Sequence, residues 1–357
     1  MKMALRFAKK GKGKVSPNPL VGAIIVKDGV IMAKGYHKRF GGPHAEIDAL
    51  GKLKAKGMST EDTIFYITLE PCCHHGKTPP CTDALIKEKF SKIVICNLDP
   101  NPKVNGKGIE ILRNHGFEVI TGILENEGKE LNYAYFKYIR TNMPFITVKL
   151  AQSLDGKIAT ASGDSKWISS EPSRKFVHKL RTEHDCVMVG IKTVIADNPL
   201  LTVREVKGKS PLRIIVDSKL KIPLDAKIIN RDLPNKTLIA TTKKIDLKKL
   251  DVLKYRGVNV LQVESDEKGR IDLFHLFSSL GNNGISSVLV EGGGRVVYSL
   301  LKNKIVDRFI LFIAPRIIGH GIEWAFDLKV KNMEDVLKFR RFKFKKSGHD
   351  IMFEGWI

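Results

Sequence analysis

The chain has 357 residues, 61 Lys and Arg against 38 Asp and Glu for a formal net charge of +23, with 43% hydrophobic and 28% charged residues. That length exceeds what one core usually holds, so two domains are expected, and the composition is that of a soluble globular protein. No apolar run reaches the roughly 18 residues needed to cross a bilayer, and Met1–Arg6 leads into lysines and glycines rather than a signal-peptide core, so a cytoplasmic location with no membrane partner is expected.

In chain order, residues 3–11 predict a short amphipathic helix and Ser16-Pro17-Asn18-Pro19 a turn. Val21–Lys27 and Ile31–Tyr36 predict a hairpin across Asp28-Gly29. A helix is expected from His44 to about Lys54, a strand at Thr63–Thr68, a turn at Cys72 and a helix from Cys81 to about Lys89. Strand Lys92–Cys96, helix Gly106–Asn114, strand Glu118–Thr121 and helix Glu125–Arg140 continue the alternation, which predicts a three-layer α/β domain.

Three residues of this half have the character of metal ligands. His44 opens one helix, Cys72 follows a strand and Cys81 opens another helix. One imidazole and two thiolates leave the fourth corner of a zinc tetrahedron open, the mark of a catalytic rather than a closed structural site. Glu46, two residues from His44, can take a proton from water and hand it to a departing amine. Two residues of helix turn by about 200°, so His44 is expected at or just before the first turn, after Pro43. One His and two Cys scattered through forty residues could equally be core; their placement at helix and strand ends sets them apart.

Of the five cysteines, Cys96 and Cys186 lie in apolar strand-like runs and are expected in the core, and Cys73 is expected to pack or support rather than ligate. The odd remainder argues against a disulfide framework. The basic surplus could mark a nucleic-acid binder or suit a phosphorylated substrate. Because the lysines are spread along the whole chain, it reads as a solvated basic surface, with no nucleic-acid partner expected.

A boundary is expected at Thr141-Asn142-Met143-Pro144, giving domains 1–143 and 144–357. Beyond it, strands are predicted at Phe145–Leu150, Cys186–Gly190, Arg213–Asp217, Leu238–Thr241, Val258–Val263 and Ser287–Glu291, with a helix at Glu171–Glu183. Glu291-Gly292-Gly293-Gly294-Arg295 ends a buried strand and opens a helix, where backbone amides can approach a phosphate. In isolation, that cluster could be no more than a tight turn, and it is not the dinucleotide fingerprint.

His44-Ala45-Glu46 and Pro71-Cys72 resemble the cytidine deaminase-like fold. Eight residues separate Cys72 from Cys81, where nucleoside and nucleic-acid deaminases usually have two, and the insert with His74, His75, Gly76, Lys77 and Thr78 is similar to riboflavin-pathway pyrimidine deaminases. KLAQSLDG at 149–156, SKWI at 165–168, GIKTVIADNPLLTVR at 190–204 and VEGGG at 290–294 resemble the reductase half of the same bifunctional family. Lys166 stands where that family commonly has glutamine and Cys73 where it commonly has serine; neither is needed for the chemistry.

The resemblance implies a cytidine deaminase-like domain followed by a dihydrofolate reductase-like domain. The first, with Zn2+ on His44, Cys72 and Cys81 and Glu46 as proton shuttle, would deaminate a diaminopyrimidinone carrying a ribosylamino 5-phosphate. The second would reduce the ribosyl group to a ribityl chain with NADPH. It also implies NADPH contacts at Ala151, Trp167, Thr193, Asp197, Ser218 and Gly293, Gly294, Arg295, Val296, Val297, Tyr298 and Ser299. Substrate contacts are implied at Ser165, Arg181, Leu201, Arg204 and Glu291, the arginines holding phosphate by their bidentate fork. Asn18, His75 and Lys77 are expected to touch the deaminase substrate, and a homo-oligomer is expected. Two rival functions are a nucleic-acid deaminase, favoured only by the charge, and a second half that merely binds a phosphate ligand at its glycine turn.

Overall fold

The computed structural model of the chain describes residues 1–76, 78–229, 236–324, 328 and 330–357. It divides into two compact units, Met1–Asn142 and Met143–Ile357. Among the described residues no helix is long and apolar enough to cross a membrane.

In the first unit α1 (Lys2–Ala8) precedes a hairpin of β1 (Gly22–Lys27) and β2 (Val30–Tyr36). Then come α2 (Ala45–Lys54), β3 (Thr63–Ile67), α3 (Cys81–Leu85), β4 (Phe90–Ile95), α4 (Lys107–Asn114), β5 (Glu118–Thr121), α5 (Glu125–Leu131) and α6 (Tyr133–Thr141). The sheet runs β2-β1-β3-β4-β5, antiparallel on both sides of β1 and parallel from β3 to β5. Strand side chains alternate between faces, and Ala23, Ile25, Phe65, Ile67, Ile93 and Ile95 form one core with α2, α3 and α4. Helix α1 buries Ala4, Leu5 and Ala8 and runs close to Gly22, on the other side of β1. These are the three layers that the alternation of elements predicts.

Two predicted helices differ from those observed. Helix α3 ends at Leu85 instead of near Lys89, because Phe90 is already paired with Thr63 and the chain must turn first, with Glu88 N–H bonding Leu85 O at 3.1 Å. The helix expected over Glu125–Arg140 is broken at Asn132, whose buried amide accepts from Leu20 N at 2.8 Å and donates to Leu20 O at 2.9 Å. A side chain bound 112 residues away sets the break.

The second unit contains β6 (Phe145–Gln152), β7 (Lys157–Thr160), α7 (Glu171–Glu183), β8 (Cys186–Gly190), α8 (Ile191–Asp197), β9 (Leu212–Val216), β10 (Thr237–Thr241) and α9 (Leu247–Tyr255). It continues with β11 (Asn259–Gln262), α10 (Leu273–Asn282), β12 (Ser287–Glu291), α11 (Gly294–Lys302), β13 (Arg308–Ile313), β14 (Gly321–Glu323), β15 (Arg341–Ser347) and β16 (Asp350–Trp356). Among the described residues nine strands form one sheet in the order β11-β10-β9-β8-β12-β6-β13-β16-β15. It is parallel from β11 to β13 and antiparallel at β16 and β15, while β7 and β14 pair separately. Helices α10 and α11 pack with Val148, Met188 and Val290, whereas α9 packs with Val187, Ile215 and Ile239, and α7 with Leu289 and Ile310. Strands covered on both faces are apolar throughout, as CVMVG at 186–190 is.

Candidate active sites

In the first unit the metal-ligand candidates come from three element ends. His44 caps α2 with extended backbone, φ −69° and ψ 164°, where sequence spacing places it. Gly35 allows that approach: a Cβ there would sit 2.2 Å from Ala45 O, so any side chain would push the start of α2 off β2. Cys72 follows β3, and Cys81 is the first residue of α3. The turn before Cys72 is pinned by Glu70, whose buried carboxylate accepts from the backbone N–H groups of Asp99, Gly106, Gly108 and Ile109 at 2.9 to 3.3 Å. That role was invisible in the sequence, because its donors are backbone groups some 30 to 40 residues on.

One ligand atom from each of His44, Cys72 and Cys81 lies within 4.8 Å of the others. His44 Nδ1 is 3.2 Å from Cys81 Sγ and 3.5 Å from Cys72 Sγ. Zinc bonds of about 2.05 Å to nitrogen and about 2.3 Å to sulfur, at tetrahedral angles, separate such donors by about 3.5 Å, so the set fits that ion. The thiols agree with this reading. Cys72 is pushed down to about 4, first by its hydrogen bond with Cys81 and then by His44, while Cys81 is pushed up by the same bond. Two sulfurs this close ionise together only with a cation between them. Cys73 Sγ lies instead near Lys103 O at 3.5 Å, as a packing residue would.

Glu46 is in the first turn of α2 and 3% exposed; burial, with the charge on Cys72, pushes its carboxyl up to about 7. His44, Glu46 and Cys72 line a cavity of about 290 Å³ together with Asn18, His37, His74, Asp99 and Asn101. Asn18 therefore faces the site as expected, and its Nδ2 is 3.2 Å from His37 Nε2. His37, not singled out from sequence, is buried, stands edge-on to His44 at 5.4 Å, and bonds Pro43 O through Nδ1 at 3.0 Å. His75 is exposed, whereas its neighbour His74 lines the cavity with a buried Nδ1. In an irregular loop no periodicity tells which of two adjacent histidines points inward. Lys77 lies outside the described residues. Burial pushes the Asp99 carboxyl up to about 6, and Asp99 accepts from Tyr135 Oη at 2.8 Å.

In the second unit the strands β9, β8, β12 and β6 are parallel neighbours, so their carboxyl ends lie along one edge of the sheet. Ser218, Thr193, Gly293 and Ala151 follow or end those strands, where ligands of open α/β sheets bind. Gly292 and Gly293 have φ of 89° and 79°, and a Cβ on Gly293 would stand 3.3 Å from Thr193 Oγ1, so glycine keeps the turn against the β8–α8 junction. Trp167 is 60% exposed, with the Arg174 guanidinium 4.6 Å over its ring and Arg316 donating to its carbonyl at 2.8 Å. Ser165 lies two residues before it, and burial raises the Asp197 carboxyl against the opposing charge of Lys166, which stands between Ser165 and Trp167.

Three members of the expected cofactor set are placed differently by the helix they share. Val297 is wholly buried in the core, Tyr298 turns to an apolar cavity with Leu301, Phe309 and Trp324, and Ser299 Oγ donates to Arg295 O at 2.9 Å. The start of α11, with Gly294, Arg295 and Val296, is the part next to the strand ends.

The substrate set is also redistributed. Arg181 spends its fork on Glu291, with Nη2 to Oε2 at 2.8 Å and Nε to Oε1 at 2.5 Å, and its Nη1 donates to Thr202 O at 2.9 Å. Arg204 is exposed, its Nη1 donating to Thr202 Oγ1 at 3.3 Å. Leu201 has its side chain in the core with Val189 and Ile215, leaving only its backbone to face a ligand. Lys149, which sequence reasoning passed over, is the register partner of Glu291 across β6 and β12. Burial lowers its ammonium pKa, against the opposing charge of Glu291.

Comparison with known proteins gives a family for each unit. A family model described as the cytidine and deoxycytidylate deaminase zinc-binding region matches residues 1–97, and one described as the RibD C-terminal domain matches residues 144–353. The riboflavin biosynthesis protein RibD of Aquifex aeolicus is 46% identical over 355 residues, 99% of this chain and 96% of the relative. That of Escherichia coli K12 is 37% identical over 362 residues, covering 98% and 95%. The crystal structure of a diaminohydroxyphosphoribosylaminopyrimidine deaminase/5-amino-6-(5-phosphoribosylamino)uracil reductase from Thermotoga maritima superposes with a TM-score of 0.88 at 37% identity, covering 100% and 97%. With a zinc-type ligand set in one unit and a reductase-type sheet edge in the other, the chain belongs to the RibD family of bifunctional riboflavin-biosynthesis enzymes, a zinc-dependent deaminase joined to an NADPH-dependent reductase.

Proposed function

We propose that residues 1–143 deaminate 2,5-diamino-6-ribosylamino-4(3H)-pyrimidinone 5′-phosphate at C2 and that residues 144–357 then reduce its ribosyl group, giving 5-amino-6-(5-phosphoribitylamino)uracil. The convergence of His44, Cys72 and Cys81 beside the buried Glu46, in the wall of one cavity, carries the first half of this assignment. His44, Cys72 and Cys81 hold zinc, whose Lewis acidity makes water nucleophilic near neutrality. Glu46 takes the proton that water gives up on adding to C2 and delivers it to the exocyclic nitrogen, which leaves as ammonia. A carboxyl buried enough to titrate near neutrality suits both halves of that transfer. Asn18, its Nδ2 turned to His37, offers its amide oxygen to a ring amine, and His74 is a second polar contact from the cavity wall.

In the second half, bound NADPH supplies a hydride. Reduction adds that hydride to C1′ and a proton to O4′ as the C1′–O4′ bond opens. Lys149, buried against Glu291, is placed to hold the proton, and Arg181 keeps Glu291 ionised and oriented. Arg204, with an exposed guanidinium, is the phosphate contact. NADPH lies along Ala151, Trp167, Thr193, Asp197, Ser218 and the start of α11, with Ser165 on the substrate side. The enzyme is proposed to be cytoplasmic and homo-oligomeric.

The test follows ammonia release from the diaminopyrimidinone phosphate by zinc-quantified protein, then NADPH oxidation. Ammonia followed by one equivalent of NADPH consumed is expected. Ammonia without NADPH loss would overturn the second half of the assignment, and zinc-replete protein giving neither would overturn the first, the second then being tested with deaminated substrate supplied directly.

A further inference from the structure

The segment 201–205 lies outside any helix or strand, yet it carries Arg204, the proposed phosphate contact. Its course depends on side chains that hold its backbone. Two of them come from α7, at positions three residues apart, which share a helix face. Arg181 Nη1 donates to Thr202 O at 2.9 Å, and His178 Nδ1 accepts from the backbone N–H of Arg204 at 3.2 Å. His178 is 5% exposed. An imidazole that accepts at Nδ1 is neutral and carries its hydrogen on Nε2, and Nε2 here lies 3.6 Å from Glu205 Oε1. Burial first, then the nearby guanidiniums of Arg181 and Arg204, disfavour the imidazolium, against the opposing charges of Glu205 and Glu291. Both ring nitrogens thus face the residues of this segment, one toward Arg204 and one toward Glu205.

We propose that His178 is a positioning residue of the reductase: its Nδ1 fixes the main chain of Arg204 so that the exposed guanidinium meets the substrate phosphate. The inference rests on the assignment of Arg204 to that phosphate. It concerns the orientation of a binding group, so its signature is in substrate affinity rather than in hydride transfer.

Asparagine and glutamine separate the two ring nitrogens, because the asparagine amide reaches the place of Nδ1 and the glutamine amide that of Nε2. In full-length, zinc-loaded protein, His178→Gln is expected to raise the reductase KM for the deaminated substrate about tenfold, the scale of one lost backbone hydrogen bond. Its kcat and its Kd for NADPH should stay within about twofold. His178→Asn should keep KM near the parent value, and ammonia release should be unchanged in both. Adding His178→Gln to Arg204→Ala should cost nothing further, because two residues acting on one contact are not additive. An unchanged KM in His178→Gln, alongside a raised KM in Arg204→Ala, would overturn the positioning role alone. An unchanged KM in Arg204→Ala would overturn the phosphate assignment beneath it. Equal rises for Asn and Gln, additive with Arg204→Ala, would also overturn the proposal, by showing that His178 acts through packing.

Discussion

Glu46 and Glu291 are both buried carboxyls, and their neighbours give them opposite tendencies. For Glu46, burial and the charge on Cys72 outweigh the opposing charge of His44, so its carboxyl rises to about 7. Replacing it with glutamine keeps shape and ligands but removes the proton carrier. Glu46→Gln is expected to retain stoichiometric zinc and lose deamination by about 10² to 10⁴, the usual worth of positioned proton transfer. Near-parental ammonia release from a zinc-replete variant would sink that role. For Glu291, burial alone would raise the carboxyl, but the charge and fork of Arg181 outweigh it and hold it below its ordinary 4.5. The stability this pair contributes is therefore present above pH 4.5 and lost only as pH falls through the lower folded value. Arg181→Met leaves a buried charge without its partner, a loss of about 3 to 5 kcal/mol. The unfolding midpoint of the second unit should fall by roughly 10 °C, and the acid limb of reductase activity should move to higher pH. An unmoved acid limb in thermal and pH-rate measurements would mean that Lys149 alone compensates Glu291.

Elements were legible where local pattern decides them. Helix α7 runs over Glu171–Glu183 and β12 over Ser287–Glu291, the spans read from sequence, because capping, periodicity and apolar runs are local signals. The cluster of candidate metal ligands was legible for a related reason: His44, Cys72 and Cys81 each sit at an element end, so the elements that the pattern predicts bring them together. What was not legible depends on distant partners. Lys149 lies within the strand run FITVKLAQ, and only the pairing of β6 with β12 sets it beside Glu291. The strands β13, β15 and β16 escaped notice because they become the end of the sheet by pairing across the unit, β13 parallel to β6 and β16 antiparallel to both β13 and β15. Asn132 is the sharpest case, since periodicity runs through it and Leu20 stops it. Asn132→Leu should let α5 and α6 favour one continuous helix while leaving Leu20 N–H and C=O unpaired, at about 1 to 3 kcal/mol for each group. Lower thermal stability of the first unit is expected, with increased hydrogen exchange at Leu20. Unchanged exchange there would show that the amide is dispensable to the break.

At the scale of the whole molecule, each hydrophobic core described above is built within one unit, and each unit holds its own set of site residues. The two chemistries draw on different physical resources. On the proposed assignment deamination uses a cation at the cluster of His44, Cys72 and Cys81, all in the first unit, whereas reduction uses the strand-end edge of the second. Metal removal therefore discriminates between them. A chelator that strips zinc should abolish ammonia release, while NADPH oxidation continues when already deaminated substrate is supplied. Three ligands on three element ends also tie α2, the β3 turn and α3 together, so the stripped first unit should melt at a lower temperature than the loaded one. Restoring zinc should return both deamination and the higher melting temperature. Loss of NADPH oxidation along with ammonia release would show instead that the reductase depends on an intact deaminase unit, and the two activities would then have to be treated as one coupled machine.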